Sequence, residues 1–428
     1  MRLVGTRNPG DHATFREVAL GRVPDSGGLF LPALWPVFLD IDDLLALPWI
    51  ERCNEILNRL IGDEFSSAEV TGLVTPALDI PLPVVRLEDG IFVLELFHGP
   101  TLAFKDFGAR FLAAVLELLP AAGPRMVLTA TSGDTGAAVA RAFWQEPGIR
   151  VAVLYPAGRV SPSQESQFAT LGENVLALAV DGSFDDCQSL VKSCFADKSL
   201  ALQLGLISAN SINFVRLLAQ SLYYFEGAAK LRKLGITDLP VVAVPSGNFG
   251  NLCAGVLAQR LGLPVHHFVV ATNANDTVPE YLDKGVYVPR PSVPTLSNAM
   301  DVGAPSNWER IDTLFNHDLT ALRSAFRWGR CDDVCTVNEL RLLHGEGYLA
   351  CPHTAVGHSV LRSRLRDREP GLLLATAHPA KFSEVLQKAL NVNPPLPPVL
   401  AECMASPNLS EPMPNELTAL KNRLRVIS

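Results

Sequence analysis

From residue 91 onward, short aliphatic and β-branched runs alternate with longer stretches whose apolar positions recur every three to four residues. The first kind of pattern predicts buried strands and the second amphipathic helices. Strands are expected at IFVLEL (91–96), MVLTAT (126–131), VAVLYP (151–156), NVLALAV (174–180), VVAVP (241–245), HHFVVAT (266–272) and LLLATA (372–377). Helices are expected over 102–119, 136–144, 184–196, 212–231, 252–261, 355–365 and 380–390. Strand–helix alternation of this kind gives an α/β fold with open, mostly parallel sheets, and right-handed crossovers place helices on both faces.

The pattern has two borders. Residues 1–85 carry turn signals (DSGGLFLP, ALWP) and an apolar-periodic stretch over 41–61, which reads as a small mixed N-terminal domain ending at the proline-rich PALDIPLPVV. Residues 86–392 form the α/β region, expected as two subdomains with a site between them. NPPLPP at 393–398 ends the alternation, so 393–428 is expected to be a polar C-terminal tail.

With 48% hydrophobic and 19% charged residues, the 428-residue chain can bury a large core and is not expected to be disordered. A net charge of −8 with no basic stripe excludes an ordinary nucleic-acid binder. No signal peptide and no apolar run long enough to span a membrane is evident, so a soluble, cytoplasmic protein is expected. The eight cysteines are scattered and read as free thiols. Cys331, Cys335, His344, Cys351, His353 and His358 are zinc-ligand types. CDDVC and CPH match no common zinc spacing, and no metal is expected.

Ligands of open α/β sheets sit beyond the carboxyl ends of the strands. Two of those positions hold glycine loops: SGDTGAA after MVLTAT, and SGNFGN after VVAVP. Glycine lets the backbone approach an anion, and the following helix offers free N–H groups and a positive dipole end. The plainer alternative is a tight turn with a helix cap, Ser132 or Asp134 in the first loop and Ser246 or Asn248 in the second. Neither loop is a P-loop or a GxGxxG fingerprint, and there is no GxSxG elbow, which disfavours an NTPase, a dinucleotide dehydrogenase and an α/β-hydrolase. Lys105 lies among Phe97, Leu102, Phe104, Phe107 and Phe111. Desolvation there would lower its pKa and make it a nucleophile or base, whereas a surface lysine would only lay its stem along apolar neighbours. Arg216 lies in an otherwise apolar helix behind Asn210, Ser211 and Asn213, a combination suited to a phosphate. Thr376, at the end of LLLATA, either caps the next helix or hydrogen-bonds a ring nitrogen without charging it.

Taken in order, HGPTLAFKDFG, TSGDTGAA, SANSINFVR, PSGNFGN and TAHPAKF resemble the threonine synthase family of fold-type II pyridoxal-phosphate (PLP) lyases, from GGLFLP to about Lys388. The resemblance implies a tryptophan-synthase-β-like fold, PLP as cofactor, and O-phospho-L-homoserine as the small-molecule substrate. It implies that Lys105 carries PLP as a Schiff base, that Ser246, Gly247, Asn248, Phe249 and Gly250 cradle its phosphate, and that Thr376 bonds its ring nitrogen. Ser132, Gly133, Asp134, Thr135 and Gly136 would form the loop that takes the substrate carboxylate, with Asp134 beside the cofactor. Asn210, Ser211 and Arg216 would meet the substrate phosphate. Many fold-type II relatives have Asn where this chain has Asp134, which leaves the role of that carboxylate open. Two alternatives stand beside this reading: a serine/threonine dehydratase of the same fold, which needs no second phosphate site, and a PLP-binding protein without turnover.

Overall fold

The computed structural model describes residues 1–87, 90–120 and 123–427. Fourteen strands run through it: β1 Arg2–Gly5, β2 His12–Thr14, β3 Phe30–Pro32, β4 Val84–Arg86, β5 Ile91–Glu95, β6 Arg125–Ala130, β7 Ile149–Pro156, β8 Val175–Asp181, β9 Leu206–Ser208, β10 Val241–Pro245, β11 His267–Thr272, β12 Phe326–Arg330, β13 Gly371–Ala375 and β14 Glu411–Pro414. They form three sheets: β2-β1-β3, β12-β11-β10-β13-β5-β4 and β14-β8-β7-β6-β9. The first is antiparallel. The six-stranded sheet is parallel except for the β4–β5 pair, and the five-stranded sheet is parallel throughout.

The central strands β5, β6, β10 and β13 are buried over nearly their whole length, as expected for aliphatic runs covered by helices on both faces. The buried Phe214–Lys233 helix lies in the core between the layers. The N-terminal sheet and the helices Trp49–Ile61 and Ser67–Leu78 complete one continuous apolar core with it. Among the described residues, no helix is long and apolar enough to cross a membrane.

Two expectations are corrected. The segment 393–428 is not a tail: it forms helix Pro398–Ala405, strand β14 at the edge of the five-stranded sheet, and helix Leu417–Ile427. Its apolar residues are interspersed with proline and charge, and Leu400, Met413, Leu420 and Leu424 are all buried. The cysteines are not all free, because the sulfurs of Cys331 and Cys335 are joined across the first turn of helix Asp333–Gly345. The other six are unpaired.

Candidate active site

A cavity of about 520 Å³ opens between the two parallel sheets. It collects the residues that follow β5, β6, β9, β10 and β13, the carboxyl-end positions expected of an open sheet. All the candidate residues line it except Gly133 and Gly136, which brace the same loop: Lys105, Ser132, Asp134, Thr135, Asn210, Ser211, Arg216, Ser246, Gly247, Asn248, Phe249, Gly250 and Thr376 face it. Val23, Pro24, Gly27 and Gly28 also line it, so the N-terminal segment walls one side.

Lys105 is the first residue of helix Lys105–Leu118. The loop before it is stitched to the end of β13: Phe104 N–H donates to Thr376 O at 3.0 Å, and His378 N–H to Leu102 O at 3.0 Å. This pairing brings Lys105 and Thr376 to one place although 271 positions separate them in sequence. Leu102 adopts φ 60°, left-handed backbone that turns the chain into the helix. Burial lowers the Lys105 pKa, Lys381 and Arg216 push it the same way, and Asp134 opposes them. The aromatic cluster contributes less than its density in sequence implies. Phe104 stands 5.1 Å from Nζ, but Phe107 packs edge-on against Tyr223 in the core and Phe111 is fully buried.

The capping alternative fails at both glycine loops. In the first, Gly133 is the N-cap and neither Ser132 nor Asp134 caps helix Asp134–Phe143. Instead, Thr131 Oγ1 accepts from the N–H groups of Gly133 at 2.9 Å and Gly136 at 2.7 Å. In the second, Ser246 Oγ donates to Val244 O and Asn248 Nδ2 to Ser211 Oγ, which leaves helix Gly250–Arg260 uncapped against the cavity. Phe249 holds φ 61°, a strained value for a bulky residue and of the kind found where a site requires it. A Cβ on Gly247 would meet Met300 Cα at 2.7 Å, so the loop has no room for a side chain there. Nor does Thr376 cap its neighbour, because the short helix Pro379–Phe382 is capped by His378.

Arg216 is 2% exposed. Its Nη1 donates to Ala209 O at 2.5 Å, and its buried Nε has no acceptor among the described residues. Burial pushes its pKa down to about 10, so at neutral pH it is a buried cation with no carboxylate paired to it among the described residues. Ser211 Oγ accepts from Asn248 Nδ2 at 2.9 Å and Asn307 Nδ2 at 2.8 Å, which leaves its own proton to donate. Asn210 is half spent, with Nδ2 on Ala130 O and Oδ1 accepting from Thr129 Oγ1.

Several residues escaped the sequence reading. Lys381, fully buried, donates to Asp134 Oδ1 at 2.7 Å and to Thr101 O at 2.8 Å. Gln164 Nε2 donates to the same Asp134 oxygen at 2.9 Å, and Asn298 Nδ2 to Gln164 Oε1 at 3.0 Å. Burial would raise the Asp134 carboxyl, but Lys381 and Lys105 outweigh it and hold the group well below the usual carboxylate range. Arg310, also fully buried, donates to Phe30 O, Ser211 O and Asn307 Oδ1 and so ties the N-terminal sheet to the site. His353, one of the zinc-ligand types in the sequence, accepts from Ala299 N–H through Nε2 at 3.2 Å. His358 instead pairs with Glu339 at 2.5 Å. Among the described residues, no three His, Cys, Asp or Glu are placed to hold a metal.

The residues fit PLP. A half-buried lysine of lowered pKa faces an uncapped helix start in which glycine is sterically required, and a neutral hydroxyl residue ends the neighbouring strand. Comparisons with known proteins agree. Residues 71–374 match the family of pyridoxal-phosphate-dependent enzymes, and residues 354–423 match the C-terminal region of threonine synthases. The chain is 47% identical to a threonine synthase of Haemophilus influenzae, covering 98% of this chain and 99% of that one. The crystal structure of threonine synthase from Escherichia coli superposes with a TM-score of 0.95 at 45% identity, covering 100% of both chains. A PLP-bound threonine synthase from Brucella melitensis gives 0.90 at 36% identity, covering 100% of this chain and 99% of that one.

Proposed function

The chain belongs to the threonine synthase family of pyridoxal-phosphate-dependent lyases, and from that premise we propose that it converts O-phospho-L-homoserine and water to L-threonine and phosphate. The observation that carries the choice of substrate is Arg216, a buried cation with an unpartnered Nε, set apart from the glycine loop that suits the cofactor phosphate. A dehydratase of serine or threonine has no use for that second anion site.

Lys105 would hold the cofactor, Ser246 to Gly250 its phosphate, and Thr376 its ring nitrogen. When bound, PLP supplies an electron-withdrawing ring that acidifies the carbon next to the substrate nitrogen. The lowered pKa of Lys105 keeps a larger share of its amine unprotonated at neutral pH, ready to take up and return protons on the substrate carbons. Ser132 and Thr135 would hold the substrate carboxylate, on a loop whose shape Gly133 and Gly136 brace through Thr131 Oγ1. Arg216 and the Ser211 hydroxyl, with the remaining Asn210 N–H, would bind the phosphate and stabilise it as it leaves. Val23, Pro24, Gly27 and Gly28 of the N-terminal segment would shield one side of the site from bulk water.

The test follows L-threonine and phosphate together in one sample of O-phospho-L-homoserine. Equal amounts are expected. Phosphate without threonine, or neither product from PLP-loaded protein, would overturn the assignment. Lys105→Ala is expected to abolish turnover, and Arg216→Ala to cripple turnover of this substrate.

A further inference from the structure

Asp134 is a carboxylate in an otherwise anion-binding loop, and the structure shows what balances it. One oxygen, Oδ1, is saturated by Lys381 Nζ at 2.7 Å and Gln164 Nε2 at 2.9 Å. The other, Oδ2, stands 3.7 Å from Lys105 Nζ, near but not bonded to it. Lys381 has no freedom to leave, because it is fully buried and its second bond goes to Thr101 O. That carbonyl is itself fixed: Thr101 N–H and Oγ1 are both held by the buried Asp106 carboxylate, at 2.9 and 2.6 Å, and Gln167 Nε2 also donates to Thr101 O.

We propose that Lys381 is a built-in counter-ion that keeps Asp134 ionised and holds its free oxygen toward the Lys105 nitrogen, so that the Asp134–Lys381 pair sets the protonation of that nitrogen. The inference rests on Lys105 being the cofactor lysine. An asparagine at this position could donate or accept a hydrogen bond. A carboxylate locked to an ammonium can only accept, so whatever meets Oδ2 must bring the proton. The pair also solves a charge problem, since a lone carboxylate would repel the substrate carboxylate from the same loop, whereas the pair is neutral. Lys381 is thus a positioning residue that acts through Asp134.

Four charged or titratable groups bear on the Lys105 nitrogen: Asp134 from the first glycine loop, Lys381 from the turn after β13, Arg216 from the central helix, and His353 from helix Pro352–Arg364. Asp134 favours the protonated nitrogen, while Lys381 and Arg216 disfavour it. His353 is buried and its pKa is pushed down to about 4, so it is neutral over the range of interest. The two members of the pair therefore act in opposite directions, and removing one has a different sign from removing the other.

The experiment is a pH titration of the visible absorbance of the PLP-loaded protein, which reports the proton on the nitrogen linking Lys105 to the cofactor. Lys381→Met exposes Asp134 uncompensated and is expected to raise the midpoint by about one pH unit, tenfold in proton affinity. Asp134→Asn leaves Lys381 alone and is expected to lower it. Lys381→Met/Asp134→Asn is expected to return it toward the wild-type value, which a purely structural role for Lys381 would not do. Midpoints that move in the same direction in both single variants, or stay put, overturn the proposal. If Lys381→Met does not fold, Asp134→Asn decides alone, and an unmoved or raised midpoint is fatal. Lys105→Ala serves as the separate control: a chromophore surviving there would sink the Lys105 assignment and not the pairing.

Discussion

The two glycine loops share a grammar, Ser-Gly-x-x-Gly between a buried strand and a helix, yet the structure makes opposite electrostatic objects of them. The loop after β10 leaves its helix start uncapped and contains no titratable side chain, so its field is that of the bare helix end. The loop after β6 satisfies two of its N–H groups internally through Thr131 Oγ1 and carries a buried carboxylate balanced by a lysine from another segment. The first arrangement suits a doubly charged phosphate held permanently. The second suits a singly charged carboxylate that must come and go. Local sequence sets the backbone shape of such a loop, and distant residues set its charge.

The largest expected effect breaks that balance. Asp134→Asn leaves the Lys381 ammonium buried without its anion, and breaking such a pair costs about 3–5 kcal/mol. Urea unfolding should show the loss. An equal loss in Lys381→Met, most of it recovered in the double variant, would show that the pair and not either side chain is the source.

A pH series tests the same region from another side. His353 is held neutral in the fold, with its pKa lowered by burial from 6.5 to about 4. Its folded pKa lies below its unfolded one, so the unfolded chain binds a proton that the fold refuses. The His353 contribution is therefore full above pH 6.5 and is lost as the pH drops toward 4, by about 3 kcal/mol over the window. Asp134 adds little there, because its own loss begins only as the pH falls through the ordinary carboxylate pKa near 3.8, where the unfolded chain takes up the proton. His353→Asn should make the profile between pH 6.5 and 4 shallower without flattening it, because burial also lowers the His378 pKa to about 4, and an unchanged slope would refute the assignment to His353.

The second loop is the place for a steric test. In Gly247→Ala the new methyl would press on Met300 Cα at 2.7 Å, and backbone atoms yield less readily than a side-chain tip. Overpacking of this kind costs about 1–3 kcal/mol, so cofactor affinity should fall roughly ten- to a hundredfold. Equilibrium dialysis of PLP would measure it, and the fold itself should survive.

The sequence made one half of the site legible and hid the other. Lys105, both glycine loops, Arg216 and Thr376 stand at strand ends or helix starts, and short-range pattern locates such positions. The strand–helix alternation itself was readable for the same reason, because buried aliphatic runs are contiguous. Lys381, Gln164, Asn298, Asn307 and Arg310 act across chain separations that no local pattern encodes. Lys381 offered a signal, a lone lysine in the apolar turn TAHPAKF directly after a buried strand, but its partner lies 247 positions away. His353 was visible only as one of a group of metal-ligand types, and the fold divides that group: Cys331 is joined to Cys335, Cys351 lies against His353, and His358 pairs with Glu339. In the C-terminal segment, proline and charge masked four buried apolar anchors, because a strand paired at a sheet edge needs only one covered position, here Met413.

The smallest expected effect is the sharpest test of the difference between the loops. Thr131→Val keeps the shape of a buried side chain but removes the oxygen that accepts from Gly133 and Gly136 N–H. Two N–H groups are left without their partner, at a cost of about 1–2 kcal/mol to the loop. Because this loop is proposed to take the substrate carboxylate while the loop after β10 takes the cofactor phosphate, the loss should appear as a raised KM for O-phospho-L-homoserine, about tenfold, with a much smaller change in PLP affinity. Gly247→Ala should do the reverse, weakening PLP binding first. If Thr131→Val weakened the cofactor as much as the substrate, the two loops would not divide the anions between them, and the comparison would fail at its base.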